Sequence, residues 1–208
     1  MVILRPSFHL ALIILKKLEI MRKFIIITSA IILTLIISLL ITNQVIDRSI
    51  KTEIVINAPA EEVWNVLMDH EAYPQWNPFI KQISGSTQKG KNLAVTIQSK
   101  GNDPMDFEPT VLINKKEREF RWAGKLLVTG VFDGEHYFIL EQIGPNKTRF
   151  IQGENFTGIL SGVFMKMIGK DTKGGFIAMN KALKKEVESH YVASTMLPPF
   201  ILTSNTLR

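Results

Sequence analysis

An uncharged run of eighteen residues, Phe24–Ile41 (FIIITSAIILTLIISLLI), sets this chain apart from an ordinary globular sequence. At about 1.5 Å of rise per residue it makes a helix of roughly 27 Å, close to the thickness of a bilayer's hydrocarbon core. Fourteen of the eighteen residues are apolar. At about −0.3 to −0.6 kcal/mol for each strongly apolar residue, insertion is favoured despite Thr28, Ser29, Thr34 and Ser38. No polar stripe recurs at helical spacing, as it would on a helix half-buried in a core. The run therefore predicts a transmembrane helix over residues 24–42.

A cleaved signal peptide is the closest rival. Its apolar region is usually only about 7–15 residues, and no small-x-small cleavage site follows in Thr42-Asn43-Gln44-Val45-Ile46-Asp47-Arg48. The residues favour an uncleaved anchor. Lys16, Lys17, Arg22 and Lys23 precede the run, and only Arg48 and Lys51 soon follow it. The excess of basic residues on one side predicts a single-pass membrane protein, with its N-terminus in the cytoplasm and its domain on the extracytoplasmic side. Residues 1–23 then form a short cytoplasmic segment. Its apolar patch at 10–15 reads either as an interfacial helix or as part of an over-extended start, since Met21-Arg22-Lys23 would itself begin a membrane anchor.

Charge narrows the partners. The whole chain carries +6, of which residues 1–48 hold six basic and two acidic residues, leaving +2 for the remainder. That remainder has no basic face of the kind nucleic acid requires, so no nucleic-acid partner is expected. There is no cysteine, which removes disulfides, thiolate metal sites and a cysteine nucleophile. The four histidines, His9, His70, His136 and His190, are too scattered for a metal site, and no motif calls for a cofactor.

Beyond residue 48 the pattern changes to strands. Ile50, Thr52, Ile54 and Ile56 alternate with Lys51, Glu53 and Val55, the period-two signature of a strand with one buried face. Ala58-Pro59 stops it, and Glu61 and Glu62 suit the first turn of a helix over 60–69. A compact link, His70–Ile80, holds two prolines and three aromatics. Six further strands are predicted near 79–86, 91–100, 105–115, 118–128, 131–143 and 147–157, separated by turn signals that favour an antiparallel meander. From Ser161 to about Ser189, Phe164, Met167, Ile168, Phe176, Met179, Leu183 and Val187 form one apolar helical stripe. Gly174-Gly175 interrupts it and predicts a bend or a close backbone approach. The tail, 191–208, reads as loose.

Five stretches carry a family resemblance: 56–79 (INAPAEEVWNVLMDHEAYPQWNPF), 104–111 (PMDFEPTV), 118–141, 148–158 (TRFIQGENFTG) and 174–188. Together they resemble the SRPBCC superfamily, the START, Bet v 1-like and polyketide cyclase/dehydrase proteins, over about residues 49–190. The resemblance implies an α+β helix-grip fold, with a curved antiparallel sheet of about seven strands wrapped around the long C-terminal helix. It also implies a cavity for an apolar or amphipathic molecule. The transmembrane helix lies outside that family pattern.

Strand alternation nominates the residues that face the cavity. Phe132, Gly134, His136, Phe138 and Leu140 share one face, and Phe150, Gln152, Glu154 and Phe156 share another. If the turn at 144–146 sets the register, His136 lies opposite Glu154. Met105, Phe107, Pro109 and Val111, then Phe120, Trp122 and Gly124, form the neighbouring inward sets. His136 and Glu154 are candidates for orienting a ligand or for acid-base catalysis; the competing reading is a buried polar pair that supports the sheet. Trp76, Asn77 and Phe79 are candidates for the cavity mouth, and Met165, Met167 and Met179 for its lining.

Three functions follow as expectations. The leading one is a membrane-anchored domain that binds a hydrophobic or lipid-like small molecule. The second is a cyclase, dehydratase or hydrolase using the His/Glu pair. The third is a co-chaperone-like interaction domain. Enzymatic activity is the less favoured option.

Overall fold

The computed structural model describes residues 8–45, 48–126 and 128–196, and the chain divides into one unit ending at Val45 and a second beginning at Ile46. The first unit is a single helix, α1 (Phe8–Val45). At about 1.5 Å per residue it is roughly 57 Å long. Nearly all of the apolar side chains between residues 11 and 41 stand exposed, and Ala11–Ile41 is long and apolar enough, by length and composition, to cross a membrane. The apolar patch at 10–15 is thus continuous with the predicted span rather than a separate element. Thr28 and Thr34 donate their hydroxyls to carbonyls one turn back, which satisfies them within the helix.

The second unit begins with β1 (Ser49–Ile56), whose alternating burial follows the predicted period of two. Pro59 is the N-cap of α2 (Ala60–Met68), with Glu61 and Glu62 in its first turn. A 3-10 turn (His70–Ala72) and α3 (Tyr73–Trp76) complete the link to the sheet strands. The strands are β2 (Ile80–Gly85), β3 (Leu93–Ile97), β4 (Met105–Phe107), β5 (Thr110–Lys115), β6 (Glu119–Leu126), β7 (Phe132–Gly144) and β8 (Lys147–Thr157). The long helix α4 (Ser161–Met196) closes the chain.

These strands form two antiparallel sheets, β1-β8-β7-β6-β5 and β2-β3-β4. Among the described residues, the expectation of one sheet of about seven strands is corrected to eight strands in two sheets. The predicted strand at 105–115 is divided between them at Glu108-Pro109. Proline has no N–H to give a ladder, so the strand ends there and its two halves pair with different partners. An isolated bridge, Asn92 to Thr110, flanking backbone hydrogen bonds and the Thr110 hydroxyl donating to Asn92 Oδ1 (2.9 Å) join the two sheets.

Helix α4 packs on β1, β8 and α2 and runs unbroken through Gly174-Gly175. Of the two readings of that glycine pair, the close approach is the one realised: a Cβ on Gly175 would overlap the Phe79 ring. At its far end α4 is clipped to β1. Glu188 Oε1 accepts from Asn57 N and Nδ2 (2.7 and 2.8 Å), and Lys184 Nζ donates to Val55 O and to Glu188 (both 2.7 Å). Burial would raise the Glu188 pKa, but these hydrogen bonds outweigh it and hold the carboxyl below its usual value. The helix continues past its predicted limit near Ser189, taking in residues 191–196 that read as loose, and residues 197–208 of the predicted tail lie outside the described residues. Gly158, at φ +105°, turns β8 into α4; a side chain there would also meet the Val131 carbonyl at 2.5 Å.

The core lies between the five-stranded sheet, α2 and α4. Phe120, Phe138, Phe150, Phe176, Met179, Leu183 and Val187 are fully buried in it. Each such large side chain contributes about 1.5–3 kcal/mol by leaving water. The architecture resembles a helix-grip fold: a long C-terminal helix packed against a multistranded sheet.

Candidate functional site

Two rows of side chains cross the inner face of the sheet beneath α4. The first is Trp122, His136, Glu154 and Ile50, each paired with the next across β6, β7, β8 and β1. The second, one pleat along, is Phe120, Phe138, Gln152 and Thr52. The pairing of His136 with Glu154 is the register expected from the turn after Gly144. The strands thus bring His136, Gln152 and Glu154 together within an aromatic surround.

His136 is 4% exposed and stacks flat on Trp122 at 4.7 Å, with Phe138 and Phe176 edge-on at 4.7 and 5.0 Å. Its Nδ1 lies 3.6 Å from Glu154 Oε2, and its Nε2 lies 3.4 Å from Gln152 Nε2. Glu154 is the more open member, its side chain 21% exposed. Gly134 faces it, and a Cβ there would overlap Glu154 Oε1, so the missing side chain makes room for the carboxylate.

Two residues that sequence reasoning did not nominate extend this line. Thr52 Oγ1 donates to Gln152 O (3.3 Å), and Asn180 Nδ2 on α4 donates to Thr52 Oγ1 (3.0 Å). A signal for Asn180 was present: it is a polar residue inside the apolar stripe Phe176, Asn180, Leu183, Val187. The result is a polar seam, Glu154–His136–Gln152–Thr52–Asn180, buried under α4. It is incompletely paired. Gln152 Oε1 and Asn180 Oδ1 are both buried and have no hydrogen-bond partner. Such a group costs about 1–3 kcal/mol while it stays unpaired.

The other candidates take different positions. Met179 is fully buried, with its sulfur 3.4 Å from Gln152 Nε2, and Phe156 stacks on Phe132 at 5.2 Å. Phe107, half-buried on β4, reaches towards Gly124. Trp76 is half-buried and packs edge-on against Tyr73 at 5.0 Å. Asn77 is 2% exposed and its Oδ1 accepts from the backbone of Phe79 and Ile80 (3.0 and 2.9 Å), a local cap where β2 begins. Met165 is buried, whereas Met167 is 69% exposed and Met105 45% exposed, both outside the interior expected for them.

A second imidazole lies under the same sheet. His70 packs against Tyr73 and Phe120, with its Nε2 buried and unpartnered. Burial drives its pKa down to about 4 against the weaker opposing pull of Asp69.

Two open concavities, of about 370 and 430 Å³, lie elsewhere. One is on the three-stranded sheet around Thr96 and Asp106; the other lies around Arg118 and Gln142. Neither is lined by a seam residue. Among the described residues no cluster of three or more His, Asp or Glu is placed to hold a metal. The seam presents hydrogen-bonding groups, with an imidazole and a carboxylate 3.6 Å apart at one end.

Residues 47–188 match the family model for polyketide cyclase / dehydrase and lipid transport proteins. The chain belongs to this family. Its fold is shared with the Zhui aromatase/cyclase from Streptomyces sp. R1128, at 14% identity and a TM-score of 0.58, covering 71% of this chain and 97% of that one. A START superfamily protein from Mycobacterium smegmatis is similar at 20% identity and a TM-score of 0.54, covering 68% and 98%. Norcoclaurine synthase from Thalictrum flavum, solved with dopamine and hydroxybenzaldehyde, is similar at 18% identity and a TM-score of 0.53, covering 68% and 87%. A comparison with curated proteins finds no match. At these identities the solved relatives establish the polyketide cyclase / dehydrase and lipid transport fold, and the site rests on this chain's own residues.

Proposed function

We propose that this chain is a membrane-tethered binding protein that holds an apolar small molecule against the polar seam beneath α4. The observation that carries the reading is the seam itself: buried polar groups within an aromatic interior, two of them unpaired. A purely structural core has no use for unsatisfied acceptors, whereas a binding site places a few polar groups among apolar walls to orient its ligand. His136, Gln152, Glu154 and Met179 form the polar end, and Phe120, Trp122, Phe138 and Phe156 the apolar walls. Phe107, Trp76 and Asn77 lie towards the rim. Because His136 is nearly closed to solvent, uptake requires the elements that cover the seam to move apart. The helix within Ala11–Ile41 anchors the domain, with the N-terminus cytoplasmic and the domain on the other side, as the basic residues before it favour. An anchor of this kind raises the local concentration of the domain near a lipid source.

Native mass spectrometry of the full chain, released from detergent, tests the binding reading. The wild type should carry an apolar small-molecule mass whose occupancy falls about tenfold in a folded His136→Ala variant. Equal occupancy in both would place that molecule on the transmembrane helix and defeat the proposal. Protease added to intact cells tests the topology: release of the domain supports the orientation, and full protection overturns it.

One observation favours the second reading, an enzyme of the cyclase or dehydrase type. The imidazole and carboxylate are adjacent, and the carboxylate is the seam's open end, where a substrate proton could be exchanged. Turnover abolished by Glu154→Gln, with binding retained, would establish it.

A further inference from the structure

Resting on that binding reading, we infer that the seam selects its ligand by hydrogen-bond polarity: it takes an apolar molecule bearing a donor, such as an alcohol or phenol hydroxyl, and rejects a carboxylate. Each polar contact in the seam takes its direction from a group whose role is fixed. The Glu154 carboxylate lies 3.6 Å from His136 Nδ1, beyond hydrogen-bond length, and its negative charge favours the imidazole proton on that nitrogen. His136 Nε2 is then an acceptor, and Gln152 must turn its amide N–H₂ to meet it. That leaves Gln152 Oε1 as the free end, the atom found buried without a partner.

The second line is independent and ends in the same way. The main-chain carbonyl of Gln152 accepts from the Thr52 hydroxyl, so that hydroxyl is itself an acceptor for the next residue. Asn180 therefore turns its N–H₂ to Thr52 and leaves Oδ1 free, the second buried and unpartnered oxygen. Gln152 and Asn180 are 0% and 2% exposed, so bulk water does not meet this demand. Both lines begin at an acceptor and end at an acceptor. The seam thus offers two lone-pair-bearing oxygens beside a carboxylate, set against one amide hydrogen of Asn180 that Thr52 does not take up.

A ligand hydroxyl satisfies a free oxygen by donating to it. A ligand carboxylate has no proton to donate and would face two amide oxygens and Glu154 in a medium of low dielectric, where like charge is strongly unfavourable. A hydrocarbon of the same shape gains the apolar burial and leaves both oxygens unsatisfied.

The test uses the full chain in nanodiscs of zwitterionic lipid, with empty nanodiscs subtracted, and three probes of one ring system: naphthalene, 1-naphthol and 1-naphthoate. Binding read by equilibrium dialysis should rank naphthol about tenfold tighter than naphthalene, with naphthoate the weakest. Asn180→Leu, which restores an apolar residue to the helix stripe, should reduce the advantage of naphthol over naphthalene. Naphthoate binding as tightly as naphthol, or naphthol binding no better than naphthalene, overturns the polarity inference while the binding reading stands. No binding of any probe by a folded protein defeats both.

Discussion

The two faces of the strands β6, β7 and β8 carry polar clusters one residue apart, and the clusters are built to opposite ends. On the inner face the row is Trp122, His136 and Glu154; on the outer face it is Arg121, Tyr137 and Gly153. The outer cluster pairs its charges. Arg121 donates to Glu119 through Nε and Nη2 (2.8 and 2.6 Å) and to Glu135 through Nη1, and its guanidinium lies 4.9 Å from the centre of the Tyr137 ring. Burial would lower the Arg121 pKa, but these two carboxylates outweigh it and raise it. The inner cluster ends in two oxygens that nothing fills. The same register therefore yields a charge-paired brace outside and an incompletely paired cluster inside. Polar content does not separate the two; completion of the hydrogen bonds does.

Glycine serves both faces in the same manner. Gly153 leaves room for the Tyr137 ring, and Gly134 leaves room for the Glu154 carboxylate. The groups they admit differ in freedom, because a ring wedged on a sheet yields less than the end of a glutamate side chain.

Substitutions should separate brace from site, and the largest loss is expected from the wall that belongs to both core and seam. Trp122→Ala removes a buried ring stacked on His136 and should cost about 3–5 kcal/mol in urea unfolding. A loss below about 1 kcal/mol would mean that the inner face is loosely packed. Gly153→Ala forces the Tyr137 ring and the Ile50 carbonyl aside, for an expected cost of about 1–3 kcal/mol with ligand binding intact.

The two inner imidazoles should differ as well. Unfolded, His70 takes up a proton near pH 6.5; folded, it resists until about 4. Between those values the unfolded chain binds more protons, so stability is full above pH 6.5 and falls as pH drops towards 4. The expected loss is about 2 kcal/mol, allowing for partial exposure, and His70→Phe should flatten that slope in thermal melts recorded across the window. Smallest of all, Arg121→Met should cost about 1 kcal/mol, because Glu119 and Glu135 remain partly solvated. It should leave probe binding unchanged, and a lost ligand signal would contradict the outer cluster's role as a brace.

Much of this was readable from local pattern. Period-two alternation exposed the inner faces of β1, β7 and β8, and the turn at 144–146 was enough to pair His136 with Glu154. The apolar stripe located α4. What local pattern missed depends on partners distant in the chain. Pro109 cuts one predicted strand in two because its neighbours belong to different sheets. Asn180 becomes part of the site only through Thr52, 128 residues away. The outer brace needs Glu119, Arg121 and Glu135 from two strands at once. The free oxygens of Gln152 and Asn180 are a property of the whole network, and no single residue announces them.

The most direct test of the contrast between the faces is to follow nitrogen-15 side-chain signals of the nanodisc-embedded chain while 1-naphthol is added. The account predicts that the Gln152 and Asn180 amides shift together and saturate, while Arg121 Nε stays in place. Movement of Arg121 with the two amides unchanged would contradict it.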